Sequence, residues 1–175
     1  IIDSGLIVDI LNAKTMEDVF RLLQGCSFLG SFLAYQYTID MNYSPYINFS
    51  ENDFVKAGIG AIRGIKKCFL CYGNKCEDAI WYVKEHFNDL QKRYGYTSFH
   101  PLLGHEPTLI DLQNCFCETD KYLRAKMPEL RIGNVRIKQK YMPHTDPIQF
   151  FFPPKWNIVE MYKYKPIVVP ALFDL

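Results

Sequence analysis

The sequence predicts a mostly α fold, a single helical domain followed by an extended C-terminal segment. Three observations predict it. A chain of 175 residues with 49% hydrophobic and 22% charged residues has the balance and length of one globular domain. Cap residues followed by apolar stripes at helical spacing recur as far as Pro128. Beyond Pro128 the pattern changes to basic, proline-spaced and aromatic sequence. The predicted division is therefore 1–128, the helical domain, and 129–175, an extension packed on it.

Taken in order, residues 3–13 are apolar and read equally as a short helix or a strand. Thr15 with Asp18 forms an N-terminal capping pattern for a helix bearing Val19, Leu22 and Leu23, with Gly25 as terminator. Ser27 is the expected cap of the next helix, 28–41, which is apolar nearly all round and hence expected to be central. Its polar exceptions are Gln36, Thr38 and Asp40. Asn42 to Phe49, with Pro45, reads as a loop. Ser50 with Asp53 repeats the cap signature and predicts a short helix ending at Gly58. Another helix is expected from Gly60 or Ala61 to Phe69, and a longer one from Glu77 to Arg93. The longer helix would bury Ala79, Ile80, Val83, Phe87 and Leu90. Tyr94 to Pro107 is a loop holding His100 and His105, which nothing in the sequence positions for acid–base work. Thr108 caps the last helix, 109–126, and Pro128 stops it. Residues 131–142 alternate basic and apolar as a ribbon or arm would, and Pro143 to Leu175 is expected to wrap the helical core.

The formal net charge of +1 selects no partner, but its distribution is uneven. Lys121, Arg124, Lys126, Arg131, Arg136, Lys138 and Lys140 stand against Glu129 alone beyond the Glu118–Asp120 stretch. Such a stretch is either a phosphate-binding face or an ordinary solvated one. The 13 Phe and 12 Tyr supply core and the lining of half-wet pockets. No stretch approaches the length of a membrane helix and no signal peptide is visible. Six cysteines outside a small disulfide scaffold fit a reducing, intracellular compartment, nuclear or cytoplasmic. The first residue is Ile rather than Met, which reads as a fragment of a longer chain.

Three groups of residues bear on chemistry. Gly58-Ile59-Gly60-Ala61 with Gly64 opens a basic helix carrying Arg63, Lys66 and Lys67. Glycines there would let a phosphate approach backbone N–H groups at a helix N-terminus, with lysines meeting neighbouring phosphates. That order suits a helix-hairpin-helix module, although an ordinary helix–helix turn has the same spacing. In the last helix Glu118, Lys121 and Tyr122 share a face, and Arg124 points elsewhere. The pair Glu118–Lys121 reads as a tuned catalytic pair or as a plain surface ion pair. Cys68, Cys71 and Cys76, with Cys115, Cys117 and His86, His100 or His105, could supply four zinc ligands. The Cys68–Cys71 pair alone has acceptable spacing, however, a second CxxC is missing and small core residues are the competing reading. No GxxxxGK[ST] and no GxGxxG after a strand occurs, so neither a P-loop nor a dinucleotide fingerprint is present.

The segment from about Met16 to Phe69, with the last helix, resembles the helical domain of 5-hydroxymethyluracil DNA kinases. It is similar as well to the related α-glutamyl/putrescinyl thymine pyrophosphorylases, which have a DNA-glycosylase-like, helix-hairpin-helix fold. The residues that carry the resemblance are Gly30-Ser31-Phe32-Leu33-Ala34-Tyr35-Gln36, Asp40, Gly58-Ile59-Gly60-Ala61-Ile62-Arg63-Gly64 and Phe116-Cys117-Glu118-Thr119-Asp120-Lys121-Tyr122-Leu123-Arg124. Ser31 stands where the family pattern has Pro, and Ile59-Gly60 where it has Gly-Pro-Gly. The resemblance implies a domain that handles a modified pyrimidine extruded from DNA, with displacement at an activated 5-methylene as the chemistry. It implies Lys121 and Arg124 at a leaving phosphate and Glu118 or Asp40 as base. Gln36 would stand at the pyrimidine edge, with Tyr35 and Tyr122 beside it, and Gly58, Gly60, Arg63, Lys66 and Lys67 at the DNA backbone. Two rival readings stand beside it. One is a catalytically inactive module that keeps the fold and binds nucleic acid or a protein; the other is an interaction domain that docks a protein partner through its C-terminal segment.

Overall fold

The computed structural model describes residues 5–98, 105–131 and 152–156. Within them the chain forms seven α-helices and no β-strand: α1 Leu6–Leu11, α2 Met16–Gln24, α3 Ser31–Asn42, α4 Ile59–Cys68, α5 Cys76–Glu85, α6 Phe87–Arg93 and α7 Leu109–Lys126. The expected ribbon beyond 131, most of the tail, and His100 lie outside the described residues.

The helix starts that rest on local chemistry form as the sequence predicts. Thr15 Oγ1 accepts from the Asp18 N–H at 3.1 Å while the Asp18 carboxylate accepts from the Thr15 N–H at 2.9 Å, a reciprocal cap that opens α2. Thr108 starts α7 through Asp111, whose carboxylate accepts from the Thr108 N–H at 2.8 Å and its hydroxyl at 2.9 Å. Residues 6–11 resolve the first ambiguity as a helix.

Four expectations are corrected. Ser27 caps nothing: α3 begins at Ser31 with Gly30 as its N-cap, after Phe28 has taken a left-handed conformation at φ 67°. Only one side of α3 is buried (Ala34, Tyr35, Thr38, Ile39, Asn42), while Phe32, Leu33, Tyr37 and Met41 remain exposed. The helix from Ser50 to Gly58 does not form. Ser50 Oγ accepts from the Asn52 N–H at 3.1 Å in a local turn, and 54–58 runs without helical structure. The long helix 77–93 is broken at His86, which ends α5 and begins α6.

The core gathers Met16, Val19, Phe20 and Leu23 of α2, the inner side of α3, Ala61 and Ile65 of α4, Ala79 and Ile80 of α5 and Leu109, Ile110 and Leu112 of α7. Phe54 enters it from the 54–58 segment, 5.2 Å from the Phe20 ring and 5.8 Å from Tyr35. Two buried polar residues pin the long connection between α3 and α4. Asn42, fully buried, bonds both the N–H and the carbonyl of Phe49. Glu77 accepts from Lys56 Nζ at 2.8 Å and from the Ala57 N–H at 3.1 Å. The described part of the tail packs on this connection: Lys155 Nζ donates to the carbonyls of Asn42 and Phe49, and Trp156 Nε1 donates to Glu51 at 2.7 Å. No helix of the described residues is long and apolar enough to cross a membrane.

Candidate nucleic-acid interface

The crossing of α4 over α7 is the most extensive helix packing among the described residues, and glycines make it close. A Cβ on Gly60 would lie 2.4 Å from Cys117 Sγ, and one on Gly64 only 2.0 Å from the Phe116 carbonyl oxygen. Gly60, Ala61 and Gly64 thus form a small-residue stripe that seats α4 on α7. Gly60 lies inside the first turn of α4 with its Cα side against Cys117, so close helix packing is one use of this glycine. Gly58 is the N-cap of α4, and its N–H is taken by Gln113 Oε1 at 3.3 Å. The glycine pair does not join two adjacent short helices, because residues 54–58, which lead into it, carry no helix.

Around that N-terminus the structure brings together three elements. The Phe32 ring of α3 stands 3.0 Å from where a Gly58 Cβ would be, yet the side chain remains 54% exposed. Gln36 follows Phe32 by one helical turn on the same face. Its Nε2 is buried without a hydrogen-bond partner among the described residues. Ile59 projects into solvent at 66% exposure, and Gln113 of α7 closes the third side, its Nε2 donating to Asn114 Oδ1. The result is exposed apolar surface, Phe32 and Ile59, beside the Gln113 amide at the start of a helix.

The basic residues separate into two kinds. Lys66 is exposed and Arg63 half-buried on α4. Lys67, expected at a phosphate, is instead buried: its Nζ lies 2.7 Å from Asp120 Oδ1, and both side chains are 2% exposed. Arg124 reaches the other oxygen of Asp120 at 3.2 Å, so it too is engaged inward. Asp120 was not singled out from sequence. Its i,i+4 relation to Arg124 was visible, but its pairing with Lys67 was not.

The remaining predicted site residues are dispersed. Tyr35 is 1% exposed and belongs to the core, where burial pushes its phenol well above the usual range, so it cannot stack on a base. Tyr122 is exposed on α7. Glu118 and Lys121 form an exposed intrahelical pair. The hydrogen bond from Lys121 raises the pKa of that ammonium, keeping it a cation rather than a base. Asp40 is exposed near the C-terminal end of α3, and no hydrogen bond or ion pair among the described residues joins it to Glu118 or Lys121.

The cysteines are all free. Burial pushes the thiols of Cys68, Cys76, Cys115 and Cys117 up, away from the thiolate form that metals and electrophiles need. Among the described residues no three His, Cys, Asp or Glu side chains converge to hold a metal ion.

No curated protein and no solved structure matches the chain. The family model described as "5-hmdU DNA kinase, helical domain" matches residues 1–132, which takes in all seven helices and the whole α3–α4–α7 face. By that match the chain belongs to the 5-hmdU DNA kinase helical-domain family.

Proposed function

We propose that this domain binds DNA and holds a modified pyrimidine against the face formed by α3, the start of α4 and α7. The observation that carries the reading is Gln36, an amide with its Nε2 buried and unpartnered, one turn from the exposed Phe32. An unpaired buried donor costs roughly 1–3 kcal/mol, and a pyrimidine carbonyl is an acceptor that relieves it once the side chain turns outward. Phe32 and Ile59 supply apolar surface to receive an unstacked base. Lys66 and Arg63 lie on the helix that starts there and are the proposed phosphate contacts, with Tyr122 beside the base. Family membership supports a role tied to modified pyrimidines.

Binding without turnover is favoured over displacement chemistry by this chain alone. Glu118 is spent on Lys121 at the surface, Arg124 is turned toward Asp120, and Asp40 is joined to neither. The test is a fluorescence-anisotropy titration with duplex and single-stranded DNA, with and without 5-hydroxymethyluracil, at two salt concentrations. The expected result is salt-sensitive binding that is tighter for the modified base, a preference lost in Gln36→Ala. Binding that is absent at low salt removes DNA from the reading.

A further inference from the structure

A cavity lies away from the α3–α4–α7 face. It has a volume of about 390 Å³ and lies between the 48–52 turn, Lys84 of α5, the 105–108 segment that leads into α7, and Lys155 of the tail. Three of its lining residues hold polar atoms that are buried from solvent and without a hydrogen-bond partner among the described residues. Glu51 is only 8% exposed; Trp156 Nε1 occupies its Oε2, while its Oε1 is buried with no partner. Asn52 Oδ1 and His105 Nε2 are likewise buried and unpartnered. Native interiors leave few such groups, and three around one cavity ask for an explanation. The Tyr43 phenol stands beside the same Glu51 carboxylate, its pKa raised by burial and by that charge.

The lining narrows what fits. Two carboxylates, Glu51 and Glu106, face two ammoniums, Lys84 and Lys155, so charge selects neither an anion nor a cation. Both lysines already donate to main-chain carbonyls, Lys84 to Pro107 at 2.7 Å and Lys155 to Asn42 and Phe49 at 2.9 and 3.0 Å. That leaves neither poised as a phosphate clamp. Phe49 is the one large apolar residue in the lining, too little for a lipid or a planar aromatic held between two faces. The oxygens of Glu51 and Asn52 require donors, and the hydroxyl and backbone groups around Ser50 and Thr108 work in both directions. Hydroxyl groups, which donate and accept, match such a mixed and neutral wall.

We infer that this cavity is a binding site for a small neutral polyhydroxylated ligand, a monosaccharide or the sugar of a nucleoside. Its hydroxyls donate to Glu51 Oε1 and Asn52 Oδ1 and meet His105 Nε2 once Asn52 and His105 turn toward the opening. The site is independent of the proposed DNA face, and Gln36→Ala leaves it intact.

The test is saturation-transfer NMR on the full chain with glucose, ribose, thymidine and methylamine as separate probes. The indole N–H of Trp156, bonded to Glu51, serves as the protein-side reporter. The expected result is transfer to sugar protons of glucose or ribose, or to the deoxyribose protons of thymidine, with a shift of the Trp156 signal. The first outcome identifies a free sugar as the source and the second a nucleoside. Glu51→Gln, which replaces the orphan acceptor by a donor, is expected to weaken binding about tenfold or more. Asn52→Ala, at a partly exposed position, should weaken it as well and serves if Glu51→Gln does not fold. No transfer to any probe, transfer to methylamine alone, or transfer unchanged in the variants that fold overturns the inference.

Discussion

Gly64 and Phe116 meet at the backbone: a Cβ on Gly64 would stand 2.0 Å from the Phe116 carbonyl oxygen and 2.8 Å from its carbon. A main-chain carbonyl inside a helix cannot swing aside, so α4 would have to lift off α7. At Gly60 the obstruction is Cys117 Sγ, the end of a side chain that can rotate. Gly64→Ala is therefore expected to cost more than Gly60→Ala, with overpacking of about 1–3 kcal/mol for the latter. Chemical denaturation of both variants checks the order. Pairing Gly60→Ala with Cys117→Ala should recover most of the loss, whereas no substitution at the Phe116 side chain rescues Gly64→Ala.

Lys67 and Asp120 form a buried pair with Arg124 as third member, and removing one partner strands a charge. Lys67→Met is expected to destabilise the fold by about 3–5 kcal/mol, and Asp120→Asn similarly. Replacing both, as Lys67→Met with Asp120→Leu, should cost less than the sum of the two single changes, because no unpaired charge then remains between them. Thermal unfolding of the three variants makes the comparison. Equal and additive losses would show that the pair is not coupled.

The parts of the fold that were legible in the sequence are those whose cause is local. Thr15–Asp18 and Thr108–Asp111 each complete a cap within four residues, and α2 and α7 start where those pairs place them. Ser50 with Asp53 has the same pattern and fails. The chain beyond it is held extended by Glu77, twenty residues further on, through Lys56 and Ala57. The glycines at 58, 60 and 64 show the same limit from the site's side. Their use is decided by Gln113, Phe116 and Cys117, more than fifty positions away, and a short sequence window cannot tell a glycine that admits a helix from one that admits a phosphate. The motif segments carry Gly60 and Gly64 of α4 against Cys117 and Phe116 of α7, but a motif could not foresee that Lys67 turns inward to Asp120.

Glu77 makes stability depend on pH. Burial raises its pKa, but the hydrogen bonds from Lys56 Nζ and the Ala57 N–H outweigh that and hold the carboxyl below its ordinary 4.5. A depressed carboxylate favours the native state above the unfolded value, and that contribution disappears as pH falls from about 4.5 through the native value. Glu77→Gln should flatten this acid limb while lowering stability at neutral pH. Unfolding measured between pH 3 and pH 7 distinguishes the two proteins; parallel curves would mean that Glu77 does not govern the limb.

Lys66 and Lys67 are adjacent in sequence but oppositely placed, one exposed and one 2% exposed, and this separates a DNA-contact effect from a folding effect. If Lys66 meets a phosphate, Lys66→Ala weakens binding by a similar factor on every DNA sequence. It also lowers the slope of log affinity against log salt by about 0.9 on duplex DNA, one counterion's worth. Its stability should change by no more than about 0.5 kcal/mol, the range of ordinary surface changes. Lys67→Ala should instead lose stability first, and DNA binding only as the folded fraction falls. Arg63→Ala, with Arg63 half-buried on the same helix, is expected to reduce the slope together with a smaller loss of stability. An unchanged slope in both Lys66→Ala and Arg63→Ala would mean that DNA, if bound, approaches another face of the molecule.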